Sequence, residues 1–147
     1  MAAFADSVFI KAPVDKVFSF AIKPENSVQI MENVIKTEKL TEGPIQVGTK
    51  FKETREIRGR KAEAVIECTK FIQNEVYSVK SEAKGLEVTY HYRFKEVDQG
   101  TQVDFDCQIK TSGIIMKLTK PLFTKILKKE DGEHLQKMKS MIERGTQ

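Results

Sequence analysis

A strict alternation of apolar and polar residues runs through the second half of the chain. Leu86, Val88, Tyr90, Tyr92 and Phe94 share one parity; Glu87, Thr89, His91, Arg93 and Lys95 share the other. Val103, Phe105, Cys107 and Ile109 alternate in the same way with Gln102, Asp104, Asp106, Gln108 and Lys110. A period of two predicts strands with one buried and one wet face, as in antiparallel sheets. Gly43-Pro44, Arg58-Gly59, Gln73-Asn74, Lys84-Gly85 and Gln99-Gly100 punctuate the chain at hairpin spacings. With an opening strand over Phe4 to Ile10, this predicts about seven strands, mostly in a meander.

Elsewhere the period becomes helical. Val14, Val17, Phe18 and Ala21 form one apolar face, with Pro13 suited to the first helical position and Lys23-Pro24 ending the helix. Asn26 and Ser27 are candidate caps for a second short helix through Met31. The last element is a long helix, from Ile115 or Pro121 to Arg144, whose apolar positions include Leu118, Leu122, Phe123, Ile126, Leu127, Leu135, Met138, Met141 and Ile142. Pro121 either begins or kinks it, and Gly132 inside it costs about 1 kcal/mol against alanine.

Dimensions then constrain the architecture. Seven strands at ~4.8 Å span about 34 Å, whereas a helix is only ~10–12 Å wide. One helix cannot cover such a sheet laid flat, so the sheet must curl around it. The inward parity contains many small residues, Ala62, Ala64, Cys68, Ser81, Ala83 and Cys107. These either admit the helix or leave room for a ligand.

The 147 residues fit a single domain, 1–147, and 39% apolar with 31% charged content excludes disorder. No apolar run approaches the ~18 residues of a membrane span. The N-terminus has no basic flank or long apolar stretch, so a cytoplasmic location is expected. Two cysteines and two histidines exclude a disulfide scaffold and argue against a zinc site; Cys68 and Cys107 are expected to be unpaired, and no cofactor is implied. From Gly113 onward there are eight bases and four acids, so the whole excess of +4 lies in this tail. Five lysines fall between Lys117 and Lys129. They are either a solvated helix face or a contact for an anionic membrane surface. Nucleic acid is not expected, since only Phe123 interleaves with them.

Several segments together resemble START-like helix-grip (SRPBCC) proteins, and most closely their polyketide cyclase/dehydrase and lipid-transport branch. These are Val8-Phe9-Ile10-Lys11-Ala12-Pro13-Val14-Asp15-Lys16-Val17-Phe18, Pro24-Glu25-Asn26, and Thr41 to Phe51 with its Gly43-Pro44 and Gly48-Thr49 steps. The Gly100-Thr101-Gln102-Val103 turn and the ending Leu135 to Glu143 fit as well. The resemblance implies an α+β fold: a curved antiparallel sheet wrapped around a long C-terminal helix, two short helices between the first two strands, and a cavity for apolar or amphipathic ligands. It does not imply one function. The chain lacks the Trp that many relatives carry after the second short helix; Gln29-Ile30-Met31 stands there.

Strand parity turns Glu53 and Arg55 inward, where charges must pair. They read as a mutual ion pair at a cavity rim, or as recognition of a ligand head group with Arg55 taking an anion. Tyr77, Tyr90 and Tyr92 face inward with hydroxyls that need partners. The expected cavity is lined by Phe51, Tyr77, Tyr90, Tyr92, Phe105, Leu118 and Leu122, with Glu53 and Arg55 as its charges. His91 is expected to face solvent, and His134 to sit on a helix flank near the cavity. No catalytic residue is assigned. The leading function is a carrier or sensor for a small apolar ligand. The alternatives are a polyketide cyclase or dehydratase and a chaperone-activator-like interaction module.

Overall fold

The computed structural model describes residues 2–57, 59–83 and 85–145. Arg58 and Lys84, the first residues of two expected turns, lie outside them. The order is β1 (Phe4–Ile10), α1 (Val14–Ile22), a 3-10 turn (Pro24–Asn26), α2 (Ser27–Ile30), β2 (Val34–Lys39), β3 (Lys50–Ile57), β4 (Arg60–Ile72), β5 (Val76–Ala83), β6 (Leu86–Val97), β7 (Gly100–Thr111), α3 (Ile114–Asp131) and α4 (His134–Gly145). The seven strands form one sheet in the order β1-β7-β6-β5-β4-β3-β2, antiparallel at every pairing. The meander therefore runs from β2 to β7, and β1 pairs with β7.

The alternating residues fall as their parity requires. Tyr90 lies opposite Cys107, Tyr92 opposite Phe105 and Phe94 opposite Val103, all buried on one face. The core occupies the β1–β7–β6 half of the sheet. Ile10, Val103 and Phe105 pack there with Val17 and Phe18 of α1 and with Leu135, Met138 and Ile142 of α4. Phe18 stands edge-on to Phe94 at 5.0 Å and to Phe71 at 5.4 Å. The small inward residues Ala62, Ala64, Ser81 and Ala83 of β4 and β5 lie outside this cluster, and there the space between sheet and helix stays open.

The long C-terminal helix spans residues 114–145 as α3 and α4, with a turn at Gly132-Glu133 between them. The Gly132 N–H donates to the Lys128 carbonyl at 2.9 Å, and a Cβ at Gly132 would stand 2.3 Å from that oxygen. Pro121 lies inside α3, so of the two alternatives it does not begin the helix. Asn26 does not cap α2; its Nδ2 donates to the Phe20 carbonyl at 2.8 Å and ties down the end of α1 instead. Cys68 and Cys107 are buried and unpaired, and burial pushes their thiols up to about 11 and about 12.

Candidate functional site

The concave face of β3–β6, the segment from Ala21 to Met31 and the inner side of α3 enclose a cavity of about 470 Å³. Ile22, Ile30, Phe51, Ile66, Val88 and Leu127 give it apolar walls. Ala62, Ala64, Ser81 and Ala83 supply the room, since none fills the gap to α3. Ala62 and Ala83 are also solvent-exposed, which marks that end of β4 and β5 as the opening.

Buried charge enters the cavity from β3 and from the end of α3, and Lys23, Glu63 and Lys80 also stand on its lining. Glu53 and Arg55 lie two apart on one strand and point inward together. Arg55 Nε donates to Glu53 Oε1 at 2.7 Å. Its Nη1 donates to Asp131 Oδ1 at 3.1 Å and to Glu130 Oε1 at 3.3 Å. Its Nη2 donates to Asp131 Oδ2 at 3.0 Å and reaches Met31 Sδ at 3.7 Å. A guanidinium has five N–H donors, and here every one is engaged. Burial opposes its charge, but Asp131 and Glu53 outweigh burial and hold it above its ordinary value.

Asp131 is fully buried and organises a second layer of bonds. It accepts from the Tyr90 hydroxyl through Oδ2. Its backbone carbonyl lies 2.5 Å from His134 Nδ1, and His134 Nε2 lies 2.8 Å from the Tyr92 hydroxyl. A carbonyl only accepts, so Nδ1 carries a proton; burial favours the neutral ring, in which Nε2 accepts from Tyr92. Burial lowers the pKa of His134 and raises those of Tyr90 and Tyr92, and the Asp131 charge raises the tyrosines further.

Of the residues expected at the site, Phe51, Glu53, Arg55, Tyr77, Tyr90 and Tyr92 line the cavity. Phe105 does not. It is core, with Tyr90 at 5.1 Å and His134 at 4.6 Å. Leu118 and Leu122 are exposed on the outer side of α3, while Phe123 and Leu127 face inward. Residues five apart on a helix differ by about 140° around its axis. Anchoring Glu130 and Asp131 to Arg55 sets that rotation, and apolarity alone could not. Of the two readings of Glu53 and Arg55, the mutual ion pair is formed, and the donors of Arg55 are engaged within the protein. His134 is deeply buried rather than at a flank. His91 lies on the outer sheet face but is partly covered, with Nδ1 2.6 Å from Ser78 Oγ. Burial lowers its pKa.

The sequence reading missed Glu130 and Asp131 as site residues. A signal existed: they are the first acids after a run of five lysines and stand directly before Gly132.

Residues 10–128 match the family described as Domain of unknown function (DUF3284). The chain belongs to that family. No curated protein matches it significantly. Among solved structures, TTHA0849 from Thermus thermophilus superposes with a TM-score of 0.76 at 15% identity, over 97% of this chain and 98% of its own. The di-domain ARO/CYC StfQ from the steffimycin biosynthetic pathway gives 0.76 at 13% identity, over 97% of this chain and 51% of StfQ. The chain thus spans about half of StfQ. Ara h 8.0201 gives 0.70 at 14% identity over 95% of each chain. At such identities the likeness is one of fold. This DUF3284 chain has the START-like helix-grip fold.

Proposed function

We propose that the protein binds a small hydrophobic or amphipathic molecule in the cavity between its sheet and α3. The observation that carries this reading is a cavity of about 470 Å³ with apolar walls and a buried charge cluster of Glu53, Arg55 and Glu130, with Lys23, Glu63 and Lys80 also on its lining. An apolar pocket with a few placed polar groups is the usual form of a ligand site. A fold held by a cyclase and by Ara h 8.0201 suits such a role without fixing it. Because Arg55 is saturated, the polar end offers carboxylate acceptors, and a ligand head that donates hydrogen bonds fits it better than an anion does.

Native mass spectrometry of gently purified protein, together with titration of a fluorescent apolar probe, tests the proposal. The expected result is one apolar molecule per chain, with probe binding lost in Ala64→Trp, which fills the cavity. Probe binding unchanged in Ala64→Trp would overturn it. Release of a chemically altered molecule would favour the cyclase alternative.

A further inference from the structure

The apolar face of α3 is turned outward. Ile114, Ile115 and Leu118 are 79%, 77% and 76% exposed, Leu122 is 58% and Ile126 is 39%. At spacings of three and four residues, Ile115, Leu118, Leu122 and Ile126 make one continuous stripe. Asp131 is the only buried residue of α3, so this helix adds no fully buried apolar side chain to the core. Lys117, Lys120, Lys125, Lys128 and Lys129 share the helix, and no acid lies between residues 114 and 129. The acids that follow, Glu130 and Asp131, are turned inward to Arg55 and lie away from the exposed face that bears the lysines.

We infer that α3 docks on an anionic lipid bilayer, lying in its surface with the Ile115–Ile126 stripe in contact with the acyl region. The placement of the lysines favours lipid over a protein partner. Lys125 and Lys129 continue the Leu118–Leu122 row, at seven and eleven residues from Leu118. Lysine is depleted from the centre of protein interfaces. At a bilayer its long stem lies along the apolar surface while the ammonium reaches the anionic headgroups. No helix of the described residues is long and apolar enough to cross a membrane, so the helix lies on the surface.

The position of the stripe also matters. The Ser112 N–H donates to the Gly85 carbonyl at 2.8 Å, which sets the start of α3 beside the β5–β6 turn. Ala83 is exposed at that end, where the cavity opens. Ile126 both lines the cavity and belongs to the stripe. Docking would therefore bring the cavity opening to the lipid surface. The docking itself does not depend on what the cavity holds.

Co-sedimentation with phosphatidylcholine vesicles, with and without phosphatidylserine, at low and high salt tests the inference. The expected result is binding to the phosphatidylserine vesicles that weakens with salt, because the lysine contribution is screened. Lys117→Gln/Lys125→Gln should weaken it at least about tenfold, from two lost lysine contributions. Leu118→Ser/Leu122→Ser should weaken it similarly, with an unchanged unfolding midpoint because both positions are exposed. No preference for phosphatidylserine, or full binding by the Leu118→Ser/Leu122→Ser variant, would overturn the inference. So would a dimer abolished by that variant in a protein that ignores vesicles, since a second copy would then cover the stripe.

Discussion

Arg55 and Asp131, 76 residues apart in sequence, meet through two parallel hydrogen bonds of 3.1 and 3.0 Å. This fork joins β3, next to the edge strand β2, to the turn between α3 and α4, and it fixes the rotation of α3 over the cavity. A bidentate pair of this kind is geometrically specific as well as strong.

Arg55→Met should destabilise the protein by about 3–5 kcal/mol, because it leaves Asp131 buried without its cation. Arg55→Lys should recover only part of this, since an ammonium cannot reproduce the fork. Urea unfolding monitored by circular dichroism reads both values. A loss below about 1 kcal/mol for Arg55→Met would show that Asp131 is content without the pair.

The two tyrosines should differ. Tyr90 donates to a charged carboxylate, so Tyr90→Phe should cost about 1.5–3 kcal/mol. Tyr92 donates to neutral His134, so Tyr92→Phe should cost about 0.5–1.5 kcal/mol. The order of the two unfolding midpoints checks the assignment of charge in the network; the reverse order would contradict it.

Acid should weaken the fold before the carboxylates titrate. His134 has a folded pKa below its ordinary value of 6.5, mainly through burial, so the unfolded chain takes up the proton first. Asp131 and Asp6 pull the other way, and Arg55 adds to the depression. Stability is full above the unfolded value, declines as pH falls through it, and levels off below the folded value. His91, also lowered, acts in the same direction. Thermal midpoints between about pH 7.5 and 5.5 should fall, and fall less in His134→Gln; an equal slope in both would remove His134 as the cause.

Gly132 should resist substitution. A Cβ there would press on the Lys128 carbonyl at 2.3 Å, so Gly132→Ala should cost about 1–3 kcal/mol, as overpacking does. In an uninterrupted helix the same change would gain about 1 kcal/mol. The sign of the shift in unfolding midpoint therefore tests the helix break directly.

Local pattern made the strands legible. Parity alone places Tyr90, Tyr92 and Phe94 inward on β6 and Glu53 beside Arg55 on β3, because successive strand side chains alternate faces. The turn residues set the order of the meander, while the small residues of β4 and β5 fitted either a close helix or a hollow. The helices were less readable, since a helix can rotate about its axis and its apolar side need not face the core. Leu118 and Leu122 look like core residues in sequence, and α3 turns them to the surface. Only the tertiary structure decided that rotation, because it depends on Asp131 reaching Arg55 across the fold. Residues 1–112 and the tail each show their own charge, but the pairing of tail acids with a strand arginine is a relation between distant segments, which no local period encodes.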